Sequence, residues 1–264
     1  MLDSTNTCST EKSILVIPAR RHSTRLPDKM LLRETGKTLL EHTYSAASKA
    51  KKVDKVLIAT DDKEIAAEAR RFGAQVIMTS PDCPSGTDRV AEVARAIPDA
   101  QIIINLQGDE PETDPQSIDQ LASLLKAHPE SAMATLAAPI RDHATLNDSA
   151  SVKVVFDNQG RAMYFSRSPI PHPREWDVSL LTAEPPTFFL HIGIYAYRRE
   201  MLLRFASLPV GRTEQIEKLE QLRILEQGES ILIGQIDRAT RGIDTPHDYA
   251  AFVARYQARQ YLAA

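Results

Sequence analysis

Ser13-Ile-Leu-Val-Ile-Pro18 is an unbroken apolar run closed by a proline, and it predicts a short parallel strand buried on both faces. A basic loop, Ala19 to Asp28, leaves that strand, and Thr38 to Ala50 then shows helical spacing through Leu39, Leu40, Thr43 and Ala47. Further along, the same alternation returns. Lys55 to Thr60 predicts a strand and Asp62 to Phe72 a helix, ended by Gly73 because glycine accepts the left-handed conformation that closes helices. A strand from Ala74 to Met78, a helix from Thr87 to Ala96, a strand from Ile102 to Leu106 and a helix from Pro115 to Ala127 continue the series. Alternation of this kind predicts an α/β fold with a parallel, doubly wound sheet and helices on both of its faces.

The second half changes character. Ala132 to Ala138, Val152 to Phe156, Ala162 to Phe165 and His191 to Tyr197 predict strands without full helices between them, and Asp157-Asn-Gln-Gly160 is a hairpin turn signal. Residues 132–200 are therefore expected to form a smaller β-rich subregion of one domain spanning 13–264. The proline-rich stretch from Pro169 to Pro186 reads as an irregular loop or arm. Thr213 to Gln227 predicts one long amphipathic helix ending at Gly228, and Ser230 to Ile236 a last strand. Thr245 and Pro246 then supply the N-cap and first residue of a C-terminal helix. Met1 to Lys12, rich in Ser, Thr and Asn, predicts a disordered tail.

Composition bounds the function. With 264 residues, 42% hydrophobic and 25% charged, the chain has the make-up of a soluble globular protein. A net charge of -3 lacks the basic footprint of a nucleic-acid binder. Cys8 and Cys83 are too few for a zinc site or a disulfide framework and are expected as reduced thiols of a cytoplasmic protein. The polar N-terminus lacks the apolar core of a signal peptide, and no apolar run approaches the roughly 20 residues that cross a bilayer.

Ligands of open α/β sheets sit beyond the carboxyl ends of the strands, so the loops after Ile17, Ala59, Met78 and Leu106 carry the chemistry. The first loop, Pro18 to Lys29, brings Arg20, Arg21, Arg25 and Lys29 together with Ser23 and Thr24, a set suited to cradle a polyphosphate. A solvated charged loop is the commoner fate of such a run; its place after the first strand favours function. Asn105-Leu-Gln-Gly-Asp-Glu-Pro111 follows the most apolar strand. A carboxylate there can hold magnesium, which takes one or two protein carboxylates together with phosphate oxygens. An acidic turn capping the next helix is the plainer account. In Gly242-Ile-Asp-Thr-Pro246 the helix start is explained by Thr245, Pro246 and Asp248, which leaves Asp244 as a second candidate metal ligand. Thr60-Asp61 and Ser85-Gly-Thr-Asp-Arg89 fit either a base or ribose contact or ordinary capping. Arg167, His191 and the run Glu214 to Gln221 stand apart; a lone histidine is more often structural, and Glu217, Glu220 and Gln221 also fit a solvated helix face.

Taken in order, VIPAR, STRLP, ATD, SGTDR, NLQGDEP, MATLA, VKVVFD, YFSR, HIGIYAYR, LEQLR and GIDTP resemble the CMP-Kdo synthetases, also called 3-deoxy-manno-octulosonate cytidylyltransferases, over roughly residues 14 to 250. CMP-sialate synthetases share the fold and part of the first loop, but NLQGDEP with HIGIY and LEQLR looks like the Kdo family. The resemblance implies a three-layer, mostly parallel Rossmann-like sheet of the nucleotide-diphosphosugar transferase type, and a homodimer to which the middle segment contributes. It implies the reaction of CTP with Kdo to give CMP-Kdo and pyrophosphate. Arg20, Arg25 and Lys29 would hold the CTP phosphates, while Pro18, Ala19, Thr60, Ser85 and Gln107 would surround the cytidine. Asp109 and Asp244 would bind Mg2+. Arg167, His191, Glu217 and Gln221 would line the sugar site, with the Arg167 fork suited to a carboxylate. The chain departs from the family at Asp28, where a Gly is usual before Lys29, at Leu190, where an Arg often precedes the histidine, and across Pro169 to Pro186. A CMP-transferase for another acidic sugar, such as 8-amino-Kdo or a nonulosonate, and a non-catalytic nucleotide-binding homologue are the competing readings.

Overall fold

The computed structural model describes residues 11–21, 23–240 and 242–263. Its first half runs β1 (Ser13–Pro18), α1 (Leu39–Ala47), β2 (Lys55–Thr60), α2 (Lys63–Arg71), β3 (Gln75–Met78), α3 (Gly86–Ala96), β4 (Ile102–Asn105) and α4 (Pro115–Ala127). The second half adds β5 (Met133–Pro139), α5 (His143–Asn147), β6 (Lys153–Phe156), β7 (Ala162–Ser166), β8 (Phe189–Arg198), α6 (Arg199–Phe205), α7 (Arg212–Glu217), α8 (Gln221–Glu226), β9 (Ile231–Gln235) and α9 (Pro246–Ala263). One nine-stranded sheet runs in the order β3-β2-β1-β4-β8-β5-β9. Along this path the strands are parallel except that β8 runs against both β4 and β5. The β6–β7 hairpin lies off this path; its ladder with β8 is the pairing of Lys153 with Leu190, and Phe156 and Phe165 pack against β8 side chains.

The expected mixed α/β fold with a mostly parallel sheet is therefore present. Its physical origin is legible in β1: Ile14 and Val16 enter the core on one face, with α3 and α6, while Leu15 and Ile17 enter the core on the other, with α1, α2 and α4. Burial on both sides leaves no polar face, so the strand reads as a continuous apolar run. A third, smaller cluster joins Leu26 and Leu39 to Ile243, Tyr249 and Phe252. It clamps the start of α9 onto the first loop, and that brings the two ends of the chain to one site.

Three expectations change. Residues 1–10 of the expected tail, with Cys8, lie outside the described residues, but Glu11 and Lys12 are held. The Lys12 amide donates to Gln101 Oε1 (2.7 Å), and Arg198 pairs with Glu11 (2.9 Å). The β-rich stretch 132–200 divides, since β5 and β8 belong to the main sheet while the β6–β7 hairpin lies off its path. The single long helix expected over 213–227 is two short ones, α7 and α8, broken at Lys218, whose backbone is left-handed (φ 54°, ψ 45°). Tertiary pairing outweighs helix propensity here: buried Glu214 receives the Arg223 Nε proton (2.7 Å), and Arg223 in turn covers the Phe205 ring (4.2 Å).

Candidate active site

Close backbone approach builds the site. Thr43 Oγ1 donates to the Gly108 carbonyl (2.8 Å), fixing the acidic turn after β4 against α1. Ile243 N donates to the Asp109 carbonyl (2.9 Å), tying that turn to the approach of α9. A Cβ on Gly108 would lie 2.9 Å from Met30 Sδ and 3.3 Å from the Pro18 carbonyl, so only glycine lets the acidic turn press this closely on the first loop.

Lys29 stands at the centre, at the start of a short 3-10 turn. Its Nζ closely contacts Asp109 Oδ2 and donates to Asp244 Oδ1 (3.2 Å) and to the Ile243 carbonyl (3.3 Å). Arg25 Nη2 reaches the same Asp244 oxygen at 3.0 Å. Arg25, Lys29, Asp109 and Asp244, expected as one catalytic group, are thus brought together. Asp244 keeps its place through a capping box at α9: Asp248 accepts from Thr245 N (2.9 Å), and Thr245 Oγ1 accepts from Asp248 N (3.2 Å).

The sequence left Glu110 without a role, and the structure gives it one. It is half-buried beside this cluster, and its buried Oε2 has no hydrogen-bond partner. Burial, then the charges of Asp109 and Asp244, push its carboxyl up to about 8. Gly242 makes room for it, since a Cβ there would sit 2.8 Å from Glu110 Oε1. Asp109 and Asp244, already balanced by Lys29 and Arg25, are oxygen donors of the kind a hard divalent cation takes, one or two protein carboxylates at a time. Among the described residues, no group of three or more His, Cys, Asp and Glu side chains is arranged to hold a metal by itself.

Cavities flank the cluster. A small one of about 70 Å3 is lined by Pro18, Ala19, Arg20, Cys83, Ser85, Gly86, Arg89 and Gln107. It gathers most of the expected CTP set. Thr60 is not among its lining residues: it is fully buried at the end of β2, where its hydroxyl accepts from Asp62 N (3.1 Å). Arg89, which the sequence offered only within a capping motif, is buried and pairs with Asp61 (3.0 Å). The Cys83 thiol, pushed up to about 11 by burial and by Glu92, stays protonated at neutral pH.

A second cavity of about 410 Å3 lies against Glu110 and Gly242 and is walled by the 148–152 segment, β8 and the start of α8. His191 and Gln221 line it, as expected, and so does Tyr195, which the sequence did not single out. Gln221 Nε2 is buried without a partner, and Tyr195 Oη donates to Gln221 Oε1 (3.3 Å). Arg167 and Glu217 are not in this wall. They bind each other from behind it: Arg167 Nε donates to the Glu217 carbonyl (2.6 Å), and Arg167 N donates to Glu217 Oε2 (3.0 Å). Arg167 Nη1 also holds the Ser149 carbonyl (2.9 Å). A larger cavity of about 840 Å3, along α4 and the end of β9, contains none of the expected site residues.

Asp28 is left-handed (φ 51°), the conformation for which glycine is the usual choice. Its carboxylate does not face Lys29. Arg21 Nε donates to it (2.9 Å), and Arg21 also pairs with Glu64 (2.7 Å).

A parallel sheet with a lysine–aspartate cluster at its strand ends defines a nucleotidyltransferase, and the chain belongs to the cytidylyltransferase family, whose profile matches residues 14–231. More particularly, it is 51% identical over 249 residues to the 3-deoxy-manno-octulosonate cytidylyltransferase of Rhodopirellula baltica, covering 94% of this chain and all of that one. It is 46% identical to the 8-amino-3,8-dideoxy-manno-octulosonate cytidylyltransferase of Shewanella baltica OS195, over 89% of this chain and 94% of that one. A solved CMP:2-keto-3-deoxy-manno-octonic acid synthetase complexed with CTP superposes with a TM-score of 0.87 at 40% identity, covering 94% of this chain and 99% of that one.

Proposed function

We propose that this chain transfers CMP from CTP to the anomeric hydroxyl of 3-deoxy-D-manno-octulosonate, giving CMP-Kdo and pyrophosphate for lipopolysaccharide synthesis. The observation that carries this reading is the meeting of Lys29 and Arg25 with Asp109 and Asp244, next to one cavity of about 70 Å3 and one of about 410 Å3. Pro18, Ala19, Ser85 and Gln107 receive the cytidine. Arg20, Arg25 and Lys29 hold the triphosphate, so that the sugar hydroxyl attacks the α-phosphorus in line with the departing pyrophosphate. His191, Gln221 and Tyr195 face the sugar, while Arg167 and Glu217 support that wall.

Asp109 and Asp244 would hold Mg2+, in keeping with the two carboxylates that meet there and the orphaned Glu110 oxygen beside them. When bound, the ion neutralises charge on the triphosphate and on the departing pyrophosphate. The enzyme works as a cytoplasmic homodimer. Supporting a dimer, Met163 on the β6–β7 hairpin and Trp176 and Val178 on the segment after it are large apolar side chains left exposed. None of the helices among the described residues is long and apolar enough to cross a membrane.

Pyrophosphate release with CTP and Mg2+ tests the reading, with Kdo, 8-amino-Kdo and N-acetylneuraminate compared. Preference for Kdo is the expected result. Preference for 8-amino-Kdo would move the sugar to the activity for which the Shewanella relative is named, and no release with any of the three would refute the enzyme reading. Sedimentation of the purified chain as a monomer would refute the dimer.

A further inference from the structure

β8 carries a defect that shapes the larger cavity. Its ladder with β5 pairs Thr135 with Tyr195 and then Leu136 with Ile192, so Gly193 and Ile194 are left without partners there. The bulge bends the strand, and the His191 and Tyr195 rings lie 5.4 Å apart.

A bulge frees backbone carbonyls, and buried carbonyls need donors. Thr135 provides one. Its hydroxyl, fully buried, lies 2.8 Å from the Ile194 carbonyl and 3.0 Å from the Ile192 carbonyl. The same oxygen is 3.0 Å from His191 Nε2. A hydroxyl has one proton, and carbonyls can only accept, so that proton is directed to the bulge. The contact with His191 is then attractive only when Nε2 carries the hydrogen and donates it to Thr135 Oγ1.

We propose that Thr135 is a positioning residue that fixes His191 as the Nε2-protonated tautomer, leaving Nδ1 as a hydrogen-bond acceptor for a hydroxyl of the sugar. The inference rests on the sugar site assigned above. Burial favours the neutral ring that this role needs, pushing the imidazole down to about 3. With Nε2 engaged, Nδ1 is the ring nitrogen His191 can offer to the cavity it lines. Phe165, edge-on at 4.9 Å, packs against the ring and helps to hold its plane.

The test has two arms. Nitrogen-15 correlation spectra of the histidine-labelled full-length protein, without substrate, read the tautomer; the His191→Gln variant assigns the signal. The wild type and Thr135→Ser should show Nε2-protonated His191, while Thr135→Val should lose that single pattern. In the second arm, Thr135→Val should raise KM for the acidic sugar about fivefold, the loss of one neutral hydrogen bond. KM for CTP should stay unchanged, and Thr135→Ser should restore the sugar KM. An Nδ1-protonated His191 in the wild type would overturn the proposal, as would an unchanged sugar KM in Thr135→Val. Should Thr135→Val not fold, the wild-type spectrum and the Thr135→Ser kinetics still decide it. The spectrum needs no substrate, so failure of the sugar assignment would appear separately, as absent pyrophosphate release by the wild type.

Discussion

Replacing Asp109 with Asn removes one charge and almost no volume, and it separates catalysis from scaffolding. Lys29 and Asp109 are only 11% and 19% exposed, so breaking their pair outright would cost about 3–5 kcal/mol, as for a buried charge left alone. Lys29 is not left alone. It retains Asp244 Oδ1 at 3.2 Å and the Ile243 carbonyl at 3.3 Å, and the Ile243 N to Asp109 carbonyl bond belongs to the backbone. Removing the Asp109 charge also takes away one of the charges that keep the half-buried Glu110 carboxyl protonated. The net loss of stability is therefore expected at about 1–2 kcal/mol. For a chain of this size that is a fall in Tm of roughly 2–4 °C per kcal/mol. Turnover depends on the charge itself, and a drop of at least about a thousandfold, or about 4 kcal/mol in the barrier, is expected. Thermal melts and pyrophosphate release on the same preparation measure both. Turnover within tenfold of wild type would refute the metal role of Asp109, and a collapse of Tm would show that its charge serves the fold.

Other perturbations probe neighbouring steps. Gly242→Ala would drive a Cβ against Glu110 Oε1; because that oxygen ends a flexible chain, stability should fall by only about 1 kcal/mol while KM for the sugar rises, and unchanged kinetics would show that the Glu110 position is immaterial. Asp28→Gly should leave KM for CTP within about twofold of wild type, since the Asp28 charge is turned onto Arg21; a marked tightening of CTP would show that it acts on the phosphates. Acid should destabilise the protein through His191. Its folded pKa is depressed to about 3 against 6.5 for an ordinary imidazole, so below the latter value the unfolded chain takes a proton that the native state refuses. Stability from this residue is present at neutral pH and lost as pH falls through that window, by about 2 kcal/mol at about pH 5. Urea melts at both pH values should therefore show a smaller difference in His191→Gln than in the wild type; equal differences would mean that the ring is protonated in the fold.

The parallel half of the fold was legible because burial on both faces writes unbroken apolar runs, as in Ile14 to Ile17 and Ile102 to Ile104. The lysine–aspartate cluster was legible because strand ends and loop charges coincide. Two features were not. The break at Lys218 occurs at a residue with no special tolerance for left-handed backbone, and the pairing of Glu214 with Arg223 is invisible to helical spacing. The bulge in β8 left only Gly193 as a hint, since glycine inside a strand often marks one. Tyr195 was missed for that reason: in a regular strand it would stand far from His191.

The same two irregularities explain how residues singled out together divide into those that face the larger cavity and those that hold its wall. Breaking the helix at Lys218 points Gln221 into the cavity while turning Glu217 back to Ser166 Oγ (2.7 Å) and Arg167 N. Behind the wall, Lys153 is wholly buried and donates to the carbonyls of Asp148 (2.9 Å), Ser151 (2.5 Å) and Arg167 (2.6 Å). Arg167 adds the Ser149 carbonyl. Two cations thus draw the carbonyls of one loop away from the cavity which that loop lines. Burial lowers the Lys153 pKa, yet three acceptors at these distances suit only an ammonium, because a neutral amine has two protons for three carbonyls. Arg167 and Lys153 thus act together on the loop that lines this cavity.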